Sequence, residues 1–209
     1  MNTKSILVLD AETIGLDKNS RIIEISTLDH NGHPLINTLI NPGVPIPKDA
    51  YAVHGIDDAM VRDAPTWAEV SDSILGLLQQ YRLLIYNAPY DLRLLCQSER
   101  FATGRELQPT DFDATCVMQL AMDVIDTEGH RISLKRAAEH CGISWEGLTP
   151  HRAISDCAVT LDVYRHLVKL PPLATGIHAR QHGQVLPPPA KYELNKVDTC
   201  LVGNEGMNT

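Results

Sequence analysis

The chain has 209 residues, 44% hydrophobic and 21% charged, a size and balance that suit one globular domain or one domain with an extension. Eighteen basic against 26 acidic residues leave a formal charge of −8, which excludes a basic coat that holds nucleic acid by bulk charge. Aromatic residues are only 5%, so stacking surfaces are few, while a local acidic site whose metal ions attract phosphate stays open.

The first strand signal comes after a polar start. Residues 6–9 (ILVL) form a continuous apolar run, the signature of a strand covered on both faces. That run is too short for a signal peptide or a membrane span, so a cytoplasmic protein with no membrane contact is expected. Residues 21–27 (RIIEIST) and 35–40 (LINTLI) read as partner strands, joined through the turn residues Asn31 and Gly32. Residues 66–81 predict a helix, with Thr66 and Glu69 as a capping box and Trp67, Val70, Ile74, Leu77, Leu78 and Tyr81 on one stripe. A second buried strand is expected at 83–86 and a helix at 90–101. Ser133 caps a short helix whose Leu134, Ala137, Ala138 and Cys141 share a face, and Gly142 stops it. Residues 154–169 carry a last helical stripe through Cys157, Leu161, Tyr164 and Val168.

Composition changes after Leu170. Pro171-Pro172 and the run Pro187-Pro188-Pro189 can continue neither a helix nor a central strand, which predicts a body of residues 1–172 and a Pro- and Gly-rich tail of 173–209. Three early strands followed by alternating helix and strand predict an α/β fold, a mixed sheet with helices packed on it. The five cysteines, Cys96, Cys116, Cys141, Cys157 and Cys200, are odd in number and lack a C-x-x-C pair, which favours reduced thiols over a disulfide framework or zinc knuckle.

Chemistry is carried by a few acids and one histidine. Asp10 and Glu12 end the first strand at i and i+2, so their carboxylates project from one face and repel unless a cation joins them. Taken alone, they read better as a solvated strand end before the turn at Gly15. Asp91 opens the helix after the second buried strand, where an N-terminal-turn role against the helix dipole would suffice, and Asn87 has a turn role at the strand exit. His151 and Asp156 would lie about 140° apart on one helix, so they converge only if His151 sits in the loop ahead of it. Pro150 favours that loop.

In this order, D-A-E-T-I-G-L at 10–16, N-A-P-Y-D at 87–91 and H-R-A-I-S-D at 151–156 resemble the DEDDh 3′-5′ exonucleases, the DnaQ-like branch of the ribonuclease H-like superfamily. The likeness covers most of residues 5–168 and points to the group of DNA polymerase III epsilon, exonuclease X and RNase T. N-P-G at 41–43, V-H-G-I at 53–56 and D-A-P at 63–65 recur in that family's order. The resemblance implies a ribonuclease H-like mixed β-sheet, three antiparallel strands then parallel strands, flanked by helices.

It also implies two divalent cations, Mg²⁺ or Mn²⁺, held by Asp10, Glu12, Asp91 and Asp156, since hard ions take carboxylate oxygens. His151 would be the general base, with an ordinary pKa near 6.5 suited to neutral pH. Thr13, Ile14 and Leu16 would meet the terminal nucleotide, Leu16 as an apolar wedge, while His54, Asn87 and Tyr90 line the groove. Structural hydrogen bonds account as well for His54 and Asn87. Ile14, Tyr90 and Ile154 stand where the family commonly has Thr, Phe and Leu, departures that bear on substrate preference and spare the ligands and base.

The other suggestive residues have plainer roles. Arg93, Lys135, Arg136 and Arg152 can meet phosphates, yet scattered basics on helices are usually solvated. His178 and His182 lack a third ligand for zinc, and Trp67 reads as core. The leading expectation is a metal-dependent 3′-5′ exonuclease acting on single-stranded or frayed DNA ends. A 3′-5′ exoribonuclease of the RNase T or oligoribonuclease type is the alternative, because no motif reports on a 2′-hydroxyl. A proofreading or adaptor subunit docking a polymerase or repair partner through the 173–209 tail is the third.

Overall fold

A computed structural model describes residues 4–125, 127 and 129–170 of the chain. The tail of 173–209, with Cys200, His178 and His182, lies outside the described residues. The apolar run at 6–9 continues through the acids into one long strand, β1 (Ile6–Thr13), followed by β2 (Ile22–Asp29) and β3 (Pro34–Leu39). β1 and β2 pair antiparallel, as do β2 and β3, around a turn in which Gly32 takes a φ of 81° and its N–H donates to the Asp29 carbonyl. The Asp29 carboxylate accepts from the N–H groups of Asn31 and His33 and so fixes that turn.

Two short helices, α1 (Lys48–His54) and α2 (Asp58–Val61), lead into α3 (Trp67–Leu78). Glu69 accepts from both the N–H and the hydroxyl of Thr66 at the start of α3, as the capping pair requires. Strand β4 (Arg82–Ile85) then runs parallel to β1, and α4 (Ala88–Thr103) follows it at once. After a 3₁₀ turn (Pro109–Asp111), β5 (Ala114–Cys116) pairs parallel with β4. Helices α5 (Val117–Val124), α6 (Leu134–His140) and α7 (Ala153–Leu167) complete the described chain. The sheet order is β3-β2-β1-β4-β5, the mixed arrangement of three antiparallel strands and then parallel ones that the sequence implied.

Helices cover both faces of the sheet. Leu7, Leu9 and Ala11 of β1 pack with Trp67, Val70 and Ile74 of α3 and Leu94 and Leu95 of α4. The alternate residue Val8 packs with Leu28, Leu84 and the apolar residues of α5, α6 and α7. Trp67 is a core residue whose indole N–H donates to the buried Glu99 carboxylate. Ser133 caps α6 by accepting from the Arg136 N–H, and Gly142 leaves it with a φ of 68°.

The last helix departs from its expected single stripe. Val159, Thr160 and Val163 are buried along with Cys157 and Leu161, while Val168 lies past the helix end and is 38% exposed. The reason is its place in the layers: α7 lies on β1 and β2 and is covered in turn by α5 and α6, so most of its circumference is shielded. Helices α1 and α2, strand β5 and helix α5 carry too few residues for periodicity to show in sequence. Cys96, Cys116, Cys141 and Cys157 are free thiols. Among the described residues no helix is long and apolar enough to cross a membrane.

Leu84 sits in β4, an interior strand between β1 and β5, and is 1% exposed. Leu84→Ala is expected to lower the unfolding free energy by about 2–5 kcal/mol in urea titrations, through lost transfer energy and a residual cavity. A loss under about 1 kcal/mol would mean that the sheet is not packed on both faces as described.

Candidate active site

β1 outlasts its parallel neighbour. Its pairing with β4 ends at Val8↔Leu84, so Asp10 and Glu12 extend beyond the end of β4, where the chain turns at Asn87 into α4. Ends of parallel strands are where α/β sheets open a crevice for ligands. Asp10 and Glu12 alternate with the core residues Leu9 and Ala11, and with Val8 they face the α7 side of the sheet. Asp91 stands in the first turn of α4 and Asp156 in the first turn of α7. Each is therefore at the positive end of a helix dipole, which partly offsets the crowding of negative charge.

His151 lies in the loop before α7, as convergence with Asp156 demanded. Its backbone has a φ of 61°, and its N–H donates to Asp156 Oδ1 over 3.2 Å. The imidazole is exposed at the rim, and one ligand atom from each of Glu12, His151 and Asp156 lies within 4.8 Å of the others.

The carboxylates disturb one another's titration. Burial, then the charges of Asp156, Asp91, Glu12 and Glu24, holds the Asp10 carboxyl well above the usual range. Glu12 is pushed up to about 8, by burial first and then by Asp156, Glu24 and Asp91, with Arg152 opposing. Burial raises Asp91 to about 7 against the pull of the backbone N–H groups of Asp91 and Ala11. Burial likewise raises Asp156 to about 7, against the His151 N–H and with the Glu24 charge. Among the described residues none of these four acids forms an ion pair. A desolvated cluster of carboxylates without an ion-pair partner has the donor set that could hold a hard cation.

The residues expected to meet substrate surround this cluster. Thr13 is buried, and its hydroxyl donates to the Gly15 carbonyl over 2.5 Å while accepting from the Gly15 N–H. The Tyr90 hydroxyl reaches the same place, donating to the Gly15 carbonyl and lying 3.2 Å from Thr13 Oγ1. Ile14 turns toward Ile23, Ile56 and Val61 and so serves packing. Leu16 projects with 81% exposure. His54 is buried near His151; its Nδ1 accepts from the Ile56 N–H, and its Nε2–H lies toward the Thr13 backbone carbonyl, close enough to favour the protonated ring but too poorly placed for a full hydrogen bond. Burial lowers its pKa, so the ring is neutral near pH 7 with its proton on Nε2. Asn87 precedes α4, and its side-chain oxygen accepts from Arg131.

Two of the scattered basics are structural. Arg93 donates to the Leu16 and Asp17 carbonyls and lies over the Tyr90 ring. Arg152 is bound to Glu24. Neither Glu24 nor Arg131 was singled out in the sequence, although a lone Glu inside the apolar run RIIEIST signals a buried acid in need of a partner.

A sequence model of the exonuclease family RNase_T matches residues 7–164, and the chain belongs to that family. It is 37% identical over 172 residues to an uncharacterized exonuclease, CP81, of Escherichia phage 186, covering 78% of this chain and 88% of that protein. It is 27% identical over 173 residues to a DNA polymerase III subunit epsilon of Rickettsia felis, covering 80% of this chain and 75% of that one. Among solved structures, exonuclease X in complex with 5′-overhanging duplex DNA superposes with a TM-score of 0.61 at 26% identity, over 78% of this chain and 91% of that one.

The raised carboxyl pKa values fix the sign of a pH effect. Unfolded carboxyls titrate near 4, so between about pH 4 and 8 the folded state holds more protons and is destabilised as pH rises. Without metal, the melting temperature is expected to fall more between pH 5.5 and 8 in the wild type than in Asp10→Asn, and Mn²⁺ at pH 8 should restore it. Equal pH slopes in the two proteins, or no Mn²⁺ shift, would contradict the charge-crowded cluster.

Proposed function

We propose that this exonuclease removes nucleotides in the 3′-5′ direction from DNA ends, single-stranded or frayed, releasing nucleoside 5′-monophosphates. The observation that carries the reading is the gathering of Asp10, Glu12, Asp91 and Asp156 in one unpaired cluster with the exposed His151 at its rim. These acids fit a pair of divalent cations, Mg²⁺ or Mn²⁺, which when bound would acidify the attacking water and neutralise charge on the phosphate.

The chain's own groups supply the remainder. The His151 imidazole, reachable from solvent, accepts the proton of the attacking water, and Asp156 steadies the backbone that carries it. The bonded Thr13, Gly15 and Tyr90 hold the turn that presents Leu16 to the terminal base. His54 offers an Nε2–H donor to the strand end, and Asn87 with Arg131 offers polar contacts beside the entrance to α4.

The named relatives favour DNA over RNA and a replicative polymerase as partner. Residues 1–172 form the exonuclease domain in this reading, with 173–209 as an extension available for docking. The enzyme assay is an end-labelled panel of single-stranded DNA, duplex, mismatched duplex and RNA with Mg²⁺ or Mn²⁺. Mononucleotides from the 3′ end of DNA are expected. His151→Ala should reduce turnover by about 10²–10⁴-fold, and Asp10→Asn should abolish it. A strong preference for RNA would change the substrate assignment, and undiminished turnover in Asp10→Asn would refute the site.

A further inference from the structure

Glu24 lies in β2 directly opposite Glu12 in the strand register, and is 2% exposed. A fifth acid beside four others is costly unless it is fully paired. Both of its oxygens accept from Arg152 Nε at 3.1 Å, and Arg152 Nη2 adds a contact of 2.6 Å. The second oxygen also accepts from the Ala153 N–H at 2.9 Å. The two residues that follow His151 are therefore both fastened to the central sheet by one side chain.

His151 needs such fastening. A residue other than glycine in the left-handed region is strained, and it persists only when its surroundings over-determine it. Arg152 occupies the N-cap of α7 but its side chain makes no cap bond; the orphan N–H of Ala153 is satisfied from β2 instead. Glu24 thus caps α7 from a position 129 residues away in sequence. It also holds the Arg152 guanidinium, which the charge of Glu12 attracts as well, on its own two oxygens.

We propose that Glu24 is a positioning residue for His151: the clamp on Arg152 and the Ala153 N–H holds the left-handed turn that sets the imidazole over Glu12 and Asp156. The proposal rests on the reading of His151 as general base. A 1 Å displacement of a reacting group can cost about a hundredfold in rate, so the clamp acts on turnover more than on strand binding.

The test is a mutant cycle on a single-stranded DNA oligonucleotide with Mn²⁺, comparing wild type, Glu24→Gln, His151→Ala and the double variant. Glu24→Gln is expected to lose about tenfold to a hundredfold in kcat with KM within about twofold. In the His151→Ala background the same change should cost less than about twofold, because the clamp has nothing left to position. In the metal-free protein, the backbone amide of His151 should gain mobility in ¹⁵N relaxation. Should Glu24→Gln fold poorly, Glu24→Gln with Arg152→Met removes both charges and leaves neither unpaired, and the same cycle applies to it. Additive losses in the double variant, or full kcat in folded Glu24→Gln, would overturn the proposal. A wild type that yields no mononucleotide would overturn the exonuclease reading itself, whereas a His151-dependent wild type beside an unimpaired Glu24→Gln removes only the clamp.

Discussion

The desolvation of crowded carboxylates is the constraint around which this fold is arranged. Asp10, Glu12, Asp91 and Asp156 come from one strand and two helices, and burial first, then neighbouring negative charge, raises their proton affinity. Left to themselves, such groups would separate into water, and no loop-borne arrangement would keep them close. What opposes separation is apolar packing on both sides of the sheet. Leu7 and Leu9 anchor β1 on one face and Val8 on the other, and all three are essentially inaccessible to solvent. The two helix N-termini that carry Asp91 and Asp156 contribute fixed positive ends that do not titrate.

The layout also explains why the acids lie at separate points in the chain. A parallel pair of strands needs a long crossover, so the ends of β1 and β4 meet only after residues 14–81 have been spent on two strands and three helices. α7 returns across the opposite face and delivers Asp156 last. The four carboxylates are thus held by three elements, β1, α4 and α7, and the cluster exists only when all three have docked.

Much of this was readable without coordinates. The strand of residues 6–9, the Thr66–Glu69 box and the loop position of His151 follow from local rules about alternation, capping and proline, and those rules operate within a few residues. Glu24 escaped because its meaning depends on Arg152 and Ala153, which no local pattern connects to it. α7 was expected to show one apolar stripe because amphipathicity assumes one wet face, and a helix enclosed by strands and other helices has little of one. Arg93 was indistinguishable from a solvated side chain until its bonds to the Leu16 and Asp17 carbonyls were seen.

The segment after β1 pairs a stiff backbone with an exposed apolar tip. Gln97 donates to the Ser20 carbonyl over 2.6 Å, Arg93 takes the carbonyls of Leu16 and Asp17, and the Asp17 carboxylate accepts from the Asn19 N–H, while the Leu16 side chain extends into water. The entropy of ordering this stretch is thus surrendered when the chain folds and not when a ligand arrives. An apolar face meeting Leu16 gains its desolvation nearly in full, and because α4 carries both the loop's anchors, Arg93 and Gln97, and Asp91, the exposed tip and that carboxylate share one support.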